Sequence, residues 1–124
     1  MSSLSCELYG DALVASFDGV IDRKAAPRLS AKLLKVLAPA THLVCDLTDV
    51  TDVTSAGYRL LLHAYHLTSA KRGEVAIVGA PEDIRDTMIA TGLCDFFVMT
   101  DSLDEAIEQV CRDSYQSQVR TARC

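Results

Sequence analysis

Apolar and polar residues follow two different periods along this chain, and the two periods predict strands and helices in alternation. Near the N-terminus, short strand-like runs at 6–9 and 13–17 flank the turn pair Gly10-Asp11 and predict a hairpin. Later apolar runs predict buried strands, and apolar residues at helical spacing predict helices. The predicted later strands are 42–47, 74–78 and 96–99, and the predicted helices are 25–37, 57–71, 82–91 and 103–112.

Several residues predict where these elements begin and end. Ser102 and Glu105 have the spacing of a capping box, which predicts the start of the last helix. Gly73 follows the second helical pattern and is predicted to cap its C-terminus. The polar stretch 49–54 is predicted to be a loop.

The order of these elements predicts one α/β domain over residues 5–112. Short connections between helices and apolar strands favour right-handed crossovers onto a mostly parallel central sheet. The N-terminal hairpin would add an antiparallel strand at one margin and make that sheet mixed. Residues 113–124 show no apolar period, so they are predicted to form a flexible C-terminal tail.

Composition narrows the classes of partner. Hydrophobic residues make up 49% of the 124 residues, no apolar run approaches the length of a membrane span, and the N-terminus does not resemble a secretory signal. The formal net charge of −5 opposes binding to nucleic acid or anionic lipid. We therefore expect a cytoplasmic protein, a monomer when free, that needs no cofactor or metal and acts on a protein partner. The cysteines form no metal or redox motif and are interpreted as incidental; they are Cys6, Cys45, Cys94, Cys111 and Cys124.

Polar residues cluster where the third predicted strand ends and the second long helix begins. Ser55 is placed to cap that helix, and the small residues Ala56 and Gly57 would leave its hydroxyl open. Asp22 follows another strand and is expected at the same edge. A phosphate on Ser55 would face the positive end of the helix and add negative charge to an acidic surface. A plain helix cap is the alternative interpretation. The cluster comprises Asp46, Thr48, Asp49, Thr51, Asp52, Thr54 and Ser55.

Several segments of the sequence, in the same order along the chain, resemble the STAS domain and specifically its anti-sigma factor antagonists. The main block is 43–62, in which a strand containing Asp46-Leu47 leads through Thr54-Ser55-Ala56-Gly57 to a leucine-rich helix. Gly19-Val20-Ile21-Asp22 matches the family's Gly-x-x-Asp, and 73–79 and 88–93 match a later strand and a helix end. The resemblance covers about residues 5–112 and implies the STAS fold.

The resemblance also implies a function, partner switching. An antagonist of this type binds an anti-sigma factor that is also a serine kinase, is released when the kinase phosphorylates its serine, and is reset by a serine phosphatase. Ser55 stands at the phosphoacceptor position. The residue before the acceptor is often aspartate in this family but is Thr54 here, and Thr54 is the secondary candidate for phosphorylation. The residues expected to contact the partner are Asp22, Thr54, Ser55, Ala56, Gly57, Tyr58 and Arg59.

Other functions are disfavoured or left open by the motifs. His63 and His66 share a helix, but no third metal ligand is evident nearby. The chain carries no nucleotide-binding glycine loop, no nucleophile elbow and no acidic pair of the receiver-domain type, so catalysis is not expected. Two alternatives to the antagonist stay open. One is a STAS-fold structural subunit of a transport or stress-sensing assembly, and the weaker one is a small enzyme or phosphocarrier.

Overall fold

A five-stranded mixed sheet forms the centre of the protein, as seen in a computed structural model that describes residues 3–110. The strands lie in the order β1-β2-β3-β4-β5, with β1 and β2 antiparallel and every other neighbouring pair parallel. The predicted hairpin at one margin of a mostly parallel sheet is thereby confirmed. The strands are β1 Ser3–Tyr9, β2 Ala12–Ile21, β3 His42–Val53, β4 Val75–Val78 and β5 Val98–Thr100.

Four α-helices connect or follow the strands, as predicted. They are α1 Ala25–Leu37, α2 Ser55–Ala70, α3 Glu82–Thr91 and α4 over 103–110, and a 3₁₀ helix Leu93–Phe96 follows α3. The serine side of the predicted capping box is confirmed, because the Glu105 N–H donates to Ser102 Oγ at 3.1 Å. Across residues 3–110, no helix combines the length and apolarity needed to cross a membrane. The predicted end of α4 and the predicted tail 113–124 lie outside the described residues, as do Cys111 and Cys124.

The two faces of the sheet are covered unequally. The helices α1, α2 and α3 pack on one face, where Leu29, Leu61 and Met88 join the buried residues of the strands in one core. On the other face, α4 packs Ala106 and Val110 against the sheet. The helices that carry the candidate site therefore share one layer and one hydrophobic core.

The predicted loop 49–54 is wrong, because β3 continues to Val53. Val50 and Val53 are buried in the core, and they pair with Gly19 and Ile21 of β2. The pairing of the two strands shifts register twice, between Ser16 and Asp18 and again between Gly19 and Val20. Each shift places an extra residue on β3, so its buried residues here recur at every third position. The sequence therefore lacks the alternation of apolar and polar residues that predicts a strand.

The predicted strand 96–99 is also wrong at its start. Gly92 ends α3 in a left-handed conformation with φ of 79°, and the chain turns at once into the 3₁₀ helix that contains Phe96. The Tyr65 ring lies 5.1 Å from the Phe96 ring and 5.8 Å from the Phe97 ring, measured between centroids. Phe96 and Phe97 both pack near the Tyr65 ring and do not point to opposite faces of a sheet as strand residues would. The strand β5 therefore begins only at Val98.

Gly73 does not provide the left-handed cap that was predicted for α2. Arg72 adopts the positive φ, 63°, and the Gly73 N–H donates to the Thr68 carbonyl at 2.9 Å. A Cβ at Gly73 would lie 1.7 Å from the Thr41 carbonyl oxygen, so glycine is needed here for close approach of two backbones. Beside this turn, Lys71 Nζ donates to three carbonyls at the end of α1, those of Leu37, Ala38 and Ala40.

Candidate functional site

The ends of β2 and β3 meet at one edge of the sheet and hold the start of α2. Ile21 pairs with Val53, and the Thr54 N–H donates to the Ile21 carbonyl at 3.0 Å. Asp22, the next residue of the β2 connection, therefore follows at the same edge, as expected from the sequence. Its carboxylate accepts the N–H groups of Lys24 at 3.1 Å and Ala25 at 2.9 Å. Asp22 thus stabilises the start of α1.

Ser55 does not cap α2, contrary to the prediction. Thr54 is the N-cap residue, with extended φ and ψ of −89° and 178°, and Ser55 is the first helical residue. No side chain within residues 3–110 forms a cap hydrogen bond with this helix; the Thr54 hydroxyl donates to the Ile21 carbonyl at 3.4 Å instead. Ser55 is exposed. The side chain of Ser55 thus stands in solvent at the positive end of a 16-residue helix that has no side-chain cap within the described residues.

Gly57 sets how closely α2 approaches the strand ends. A Cβ at this position would lie 2.5 Å from Val53 Cγ1 and 2.6 Å from the Ile21 carbonyl oxygen. Gly57 is buried and Ala56 is half-buried. The small side chain at Gly57 therefore serves close packing of the helix, where the sequence had suggested that it leaves the Ser55 hydroxyl unshielded.

Tyr58 lies in a groove of about 670 Å³ between α2 and α3 that begins at Thr54 and Ser55. The ring is half-buried and packs against the main core. Burial raises the pKa of the Tyr58 phenol, and the nearby carboxylates of Asp83 and Asp52 raise it further, whereas a hydrogen bond with Thr87 opposes them. The phenol is consequently neutral at physiological pH and presents an uncharged polar group in the groove.

Arg59 is exposed on the other flank of the same helix turn. It lines the groove between α2 and α3, and it also lines a smaller groove of about 270 Å³ between α1 and α2. The structure therefore brings together all seven predicted contact residues at one end of the α-helical layer. They are Asp22, Thr54, Ser55, Ala56, Gly57, Tyr58 and Arg59.

Other polar residues of the predicted cluster are engaged elsewhere on the extended β3. The Thr48 hydroxyl and the Thr48 N–H both donate to Asp46 Oδ1, at 2.6 and 3.0 Å. Asp52 Oδ1 accepts the N–H of Val53 at 2.9 Å. His63 and His66 are exposed, and within residues 3–110 no three His, Cys, Asp or Glu side chains are grouped to hold a metal ion.

Sequence reasoning missed the second wall of the Tyr58 groove. Thr87, Thr91 and Leu93 come from α3 and the turn after it, far from Ser55 along the chain. Thr87 and Thr91 lie one helical turn apart. The Thr87 hydroxyl donates to the Asp83 carbonyl at 3.0 Å, and the Thr91 hydroxyl donates to the Thr87 carbonyl at 2.8 Å. That spacing marks one polar flank of α3, but nothing in the sequence pairs it with Tyr58.

Comparison with known proteins identifies the family. The family model described as "STAS domain" matches residues 3–106. No curated protein sequence matches the chain.

Several solved structures resemble the fold. An anti-sigma factor antagonist from Mycobacterium paratuberculosis is 28% identical, with a TM-score of 0.79 over 89% of this chain and 94% of that one. The phosphorylated form of the Bacillus cell fate determinant SpoIIAA is 20% identical, with a TM-score of 0.71 over 87% and 99%. A single-residue variant of RsbS from Moorella thermoacetica is 15% identical, with a TM-score of 0.77 over 90% and 97%. Because one family model spans most of the sequence and the sheet order and helical layer match the same fold, this chain belongs to the STAS domain family.

Proposed function

We propose that this protein is an anti-sigma factor antagonist of a partner-switching module, regulated at Ser55. The observation that carries the proposal is the exposed Ser55 side chain at the first position of an uncapped helix, where the family resemblance places the phosphoacceptor. The likeness to a Mycobacterium paratuberculosis antagonist over nearly the full length of both chains supports the general role. The partners are an anti-sigma factor with serine kinase activity and a serine phosphatase, and the exchange takes place in the cytoplasm. The protein itself binds and is modified; it is not an enzyme.

Ser55 is a better phosphoacceptor than Thr54. The Thr54 hydroxyl donates to the Ile21 carbonyl, and the Thr54 backbone holds the strand ends together. Transfer of a phosphoryl group to Thr54 would disturb that contact, whereas the Ser55 hydroxyl forms no such bond with the part of the chain that the structure describes. A phosphate on Ser55 would also meet the N–H groups and the dipole at the start of α2, which stabilise an anion.

The modification would act on the interface. A phosphoserine carries about −1.5 to −2 charges at neutral pH. A partner that covers Ser55 would have to desolvate that charge beside Asp52 and Asp22, which disfavours the complex. Because the helix end accommodates the anion, the fold itself would change little. Release therefore follows from electrostatics at the contact surface.

The test is calorimetric titration of a candidate anti-sigma factor kinase from the same genome, combined with intact-mass measurement after incubation with ATP. Ser55→Ala should bind the kinase as the wild type does and gain no phosphate. The phosphorylated protein should bind at least about 30-fold more weakly, which corresponds to a loss of about 2 kcal/mol. Ser55→Asp should be weakened less, because one carboxylate carries less charge. Ser69→Ala, at the exposed far end of α2, is the matched control and should keep both properties.

The same measurements separate the alternatives. If Thr54→Val is phosphorylated and Ser55→Ala is not, Ser55 is the acceptor. If Ser55→Ala is phosphorylated and Thr54→Val is not, the acceptor is Thr54. Equal affinity of wild type, both Ser55 variants and phosphorylated protein would instead favour a constitutively docked structural subunit. Replacement of Tyr58 or Arg59 by alanine should cost more than about 1 kcal/mol of binding if either residue is central to the contact.

A further inference from the structure

The groove between α1 and α2 is basic, although the protein as a whole carries a net charge of −5. Its volume is about 270 Å³, and it opens beside the start of α2. The apolar part of its lining includes Ala26, Ala56 and Leu60, and its charged or titratable part consists of Arg23, Arg59 and His63. The groove therefore combines an apolar floor with positive groups at its rim.

Neither Arg23 nor Arg59 forms a close ion pair within residues 3–110. Both side chains are exposed, in contrast to Arg85, which pairs with Asp101 at 2.7 Å. Asp22, the acidic neighbour of Arg23, directs its carboxylate to the backbone of α1. Two guanidinium groups thus flank one groove without a carboxylate of this part of the chain to neutralise them.

Free guanidinium groups around an apolar floor match an acidic peptide segment. Guanidinium binds carboxylates through paired, charge-assisted hydrogen bonds, and the small floor accommodates an aliphatic side chain next to them. An extended polyanion fits less well, because the net charge of the protein and the exposed Asp49 and Asp52 of the neighbouring strand would repel it. The two positive groups are too few for the phosphate contacts on which nucleic-acid affinity depends.

We infer that the α1–α2 groove binds an acidic segment of the protein partner, with Arg23 and Arg59 holding its carboxylates. The inference rests on the proposed function in one respect, since it assigns this groove to the same partner that is released by modification of Ser55. Arg59 lies one helical turn after Ser55 and also lines the groove that begins there. A phosphate on Ser55 is within reach of that guanidinium and competes for it with the carboxylate of the partner. Loss of Arg59 from the α1–α2 groove then contributes to release.

The groove can be tested without the partner. The full chain, labelled with ¹⁵N, is titrated with a short peptide of alternating glutamate and leucine, with its glutamine counterpart, and with an oligothymidylate of similar length. The glutamate peptide should shift the amide signals of Arg23, Arg59 and His63 saturably, and the glutamine peptide should leave them unchanged. Arg23→Gln combined with Arg59→Gln should weaken binding at least tenfold. Lys35→Gln combined with Arg72→Gln removes the same charge away from the groove and should change affinity less than twofold.

Three results would overturn the inference. They are equal weakening by the two double variants, equal binding of the glutamine peptide, and tighter binding of the oligothymidylate at the same residues. The kinase titration then separates this inference from the proposed function. If the wild type binds the kinase and the Arg23/Arg59 variant binds it equally well, the groove assignment fails and the proposed function stands. If no kinase binds the wild type, the proposed function fails, while the peptide titration still decides what the groove recognises.

Discussion

Replacement of Gly57 by alanine sets two effects of opposite sign against each other at the start of α2. Alanine favours a helix over glycine by about 1 kcal/mol, so helix propensity alone predicts a more stable protein. The added Cβ, however, would lie 2.5 Å from Val53 Cγ1, 2.6 Å from the Ile21 carbonyl oxygen and 3.0 Å from Ile21 Cγ2. Two of these separations are shorter than any ordinary carbon contact. The variant therefore measures whether close packing at the strand ends outweighs propensity.

We expect the cost of overpacking to exceed the gain in helix propensity. Val53 is buried and its methyl group has little room to turn, and the Ile21 carbonyl is held because it accepts the Thr54 N–H at 3.0 Å. Overpacking of a rigid site costs about 1–3 kcal/mol, and contact with backbone places this site near the upper limit. After subtraction of the propensity gain, we expect a net loss of about 2 kcal/mol. For a domain of this size that corresponds to a fall in Tm of roughly 8 °C.

Thermal and urea unfolding followed by circular dichroism measure this loss. Gly92→Ala is the matched control, because its Cβ would meet no atom within 4 Å and only the positive φ of 79° is strained. That strain costs about 1 kcal/mol, so the control should lie between the wild type and Gly57→Ala. A Gly57→Ala protein as stable as the wild type, or more stable, would refute the packing argument and leave propensity as the dominant effect.

Two further predictions concern residues away from Ser55. Lys71→Met should lower the free energy of unfolding by about 1 kcal/mol, because Lys71 Nζ donates to three carbonyls at the end of α1. Urea unfolding measures this change, and Lys35→Met should be a near-neutral control. Burial raises the pKa of the Cys45 thiol to about 12, so Cys45 stays a protonated thiol as pH rises through 8 and 9. Iodoacetamide should therefore label the half-buried Cys94 well before Cys45 in the native protein, and mass mapping that finds equal labelling would contradict this burial.

The helices and their order were predictable because each helix buries one apolar stripe against the sheet. Leu29, Leu33 and Leu37 of α1 recur at helical spacing and are all buried, so the period in the sequence reports the packing directly. The short connections and apolar strands likewise required a parallel sheet with a hairpin at its margin. These features depend on periods that are local in the sequence, and local patterns suffice to predict them.

The errors arose where pairing between distant residues decides the local conformation. The end of β3 is a strand only because its register shifts against β2 bring Val50 and Val53 into the core. Serine favours the helix-cap position, which predicts Ser55 as the cap, but the contact between Thr54 and Ile21 makes Thr54 the cap instead. Neither contact leaves a periodic signal. Ser55 is exposed in the structure, and its assignment as the phosphoacceptor stays a prediction that rests on the recognisable motif around it.

The same contacts, which the sequence does not reveal, are consistent with the switch that we propose at Ser55. The Thr54 N–H is bound by Ile21, and Gly57 lets the helix pack directly on Ile21 and Val53, so the backbone on both sides of Ser55 is fixed. Phosphorylation of Ser55 is therefore expected to change the backbone conformation around it very little. Under the proposed function, the phosphate then weakens partner binding mainly in two ways. It adds negative charge to the contact surface, and it competes with the partner for Arg59. Amide hydrogen exchange across α2 should accordingly be nearly unchanged by phosphorylation, and faster exchange throughout the helix would instead indicate release through local unfolding.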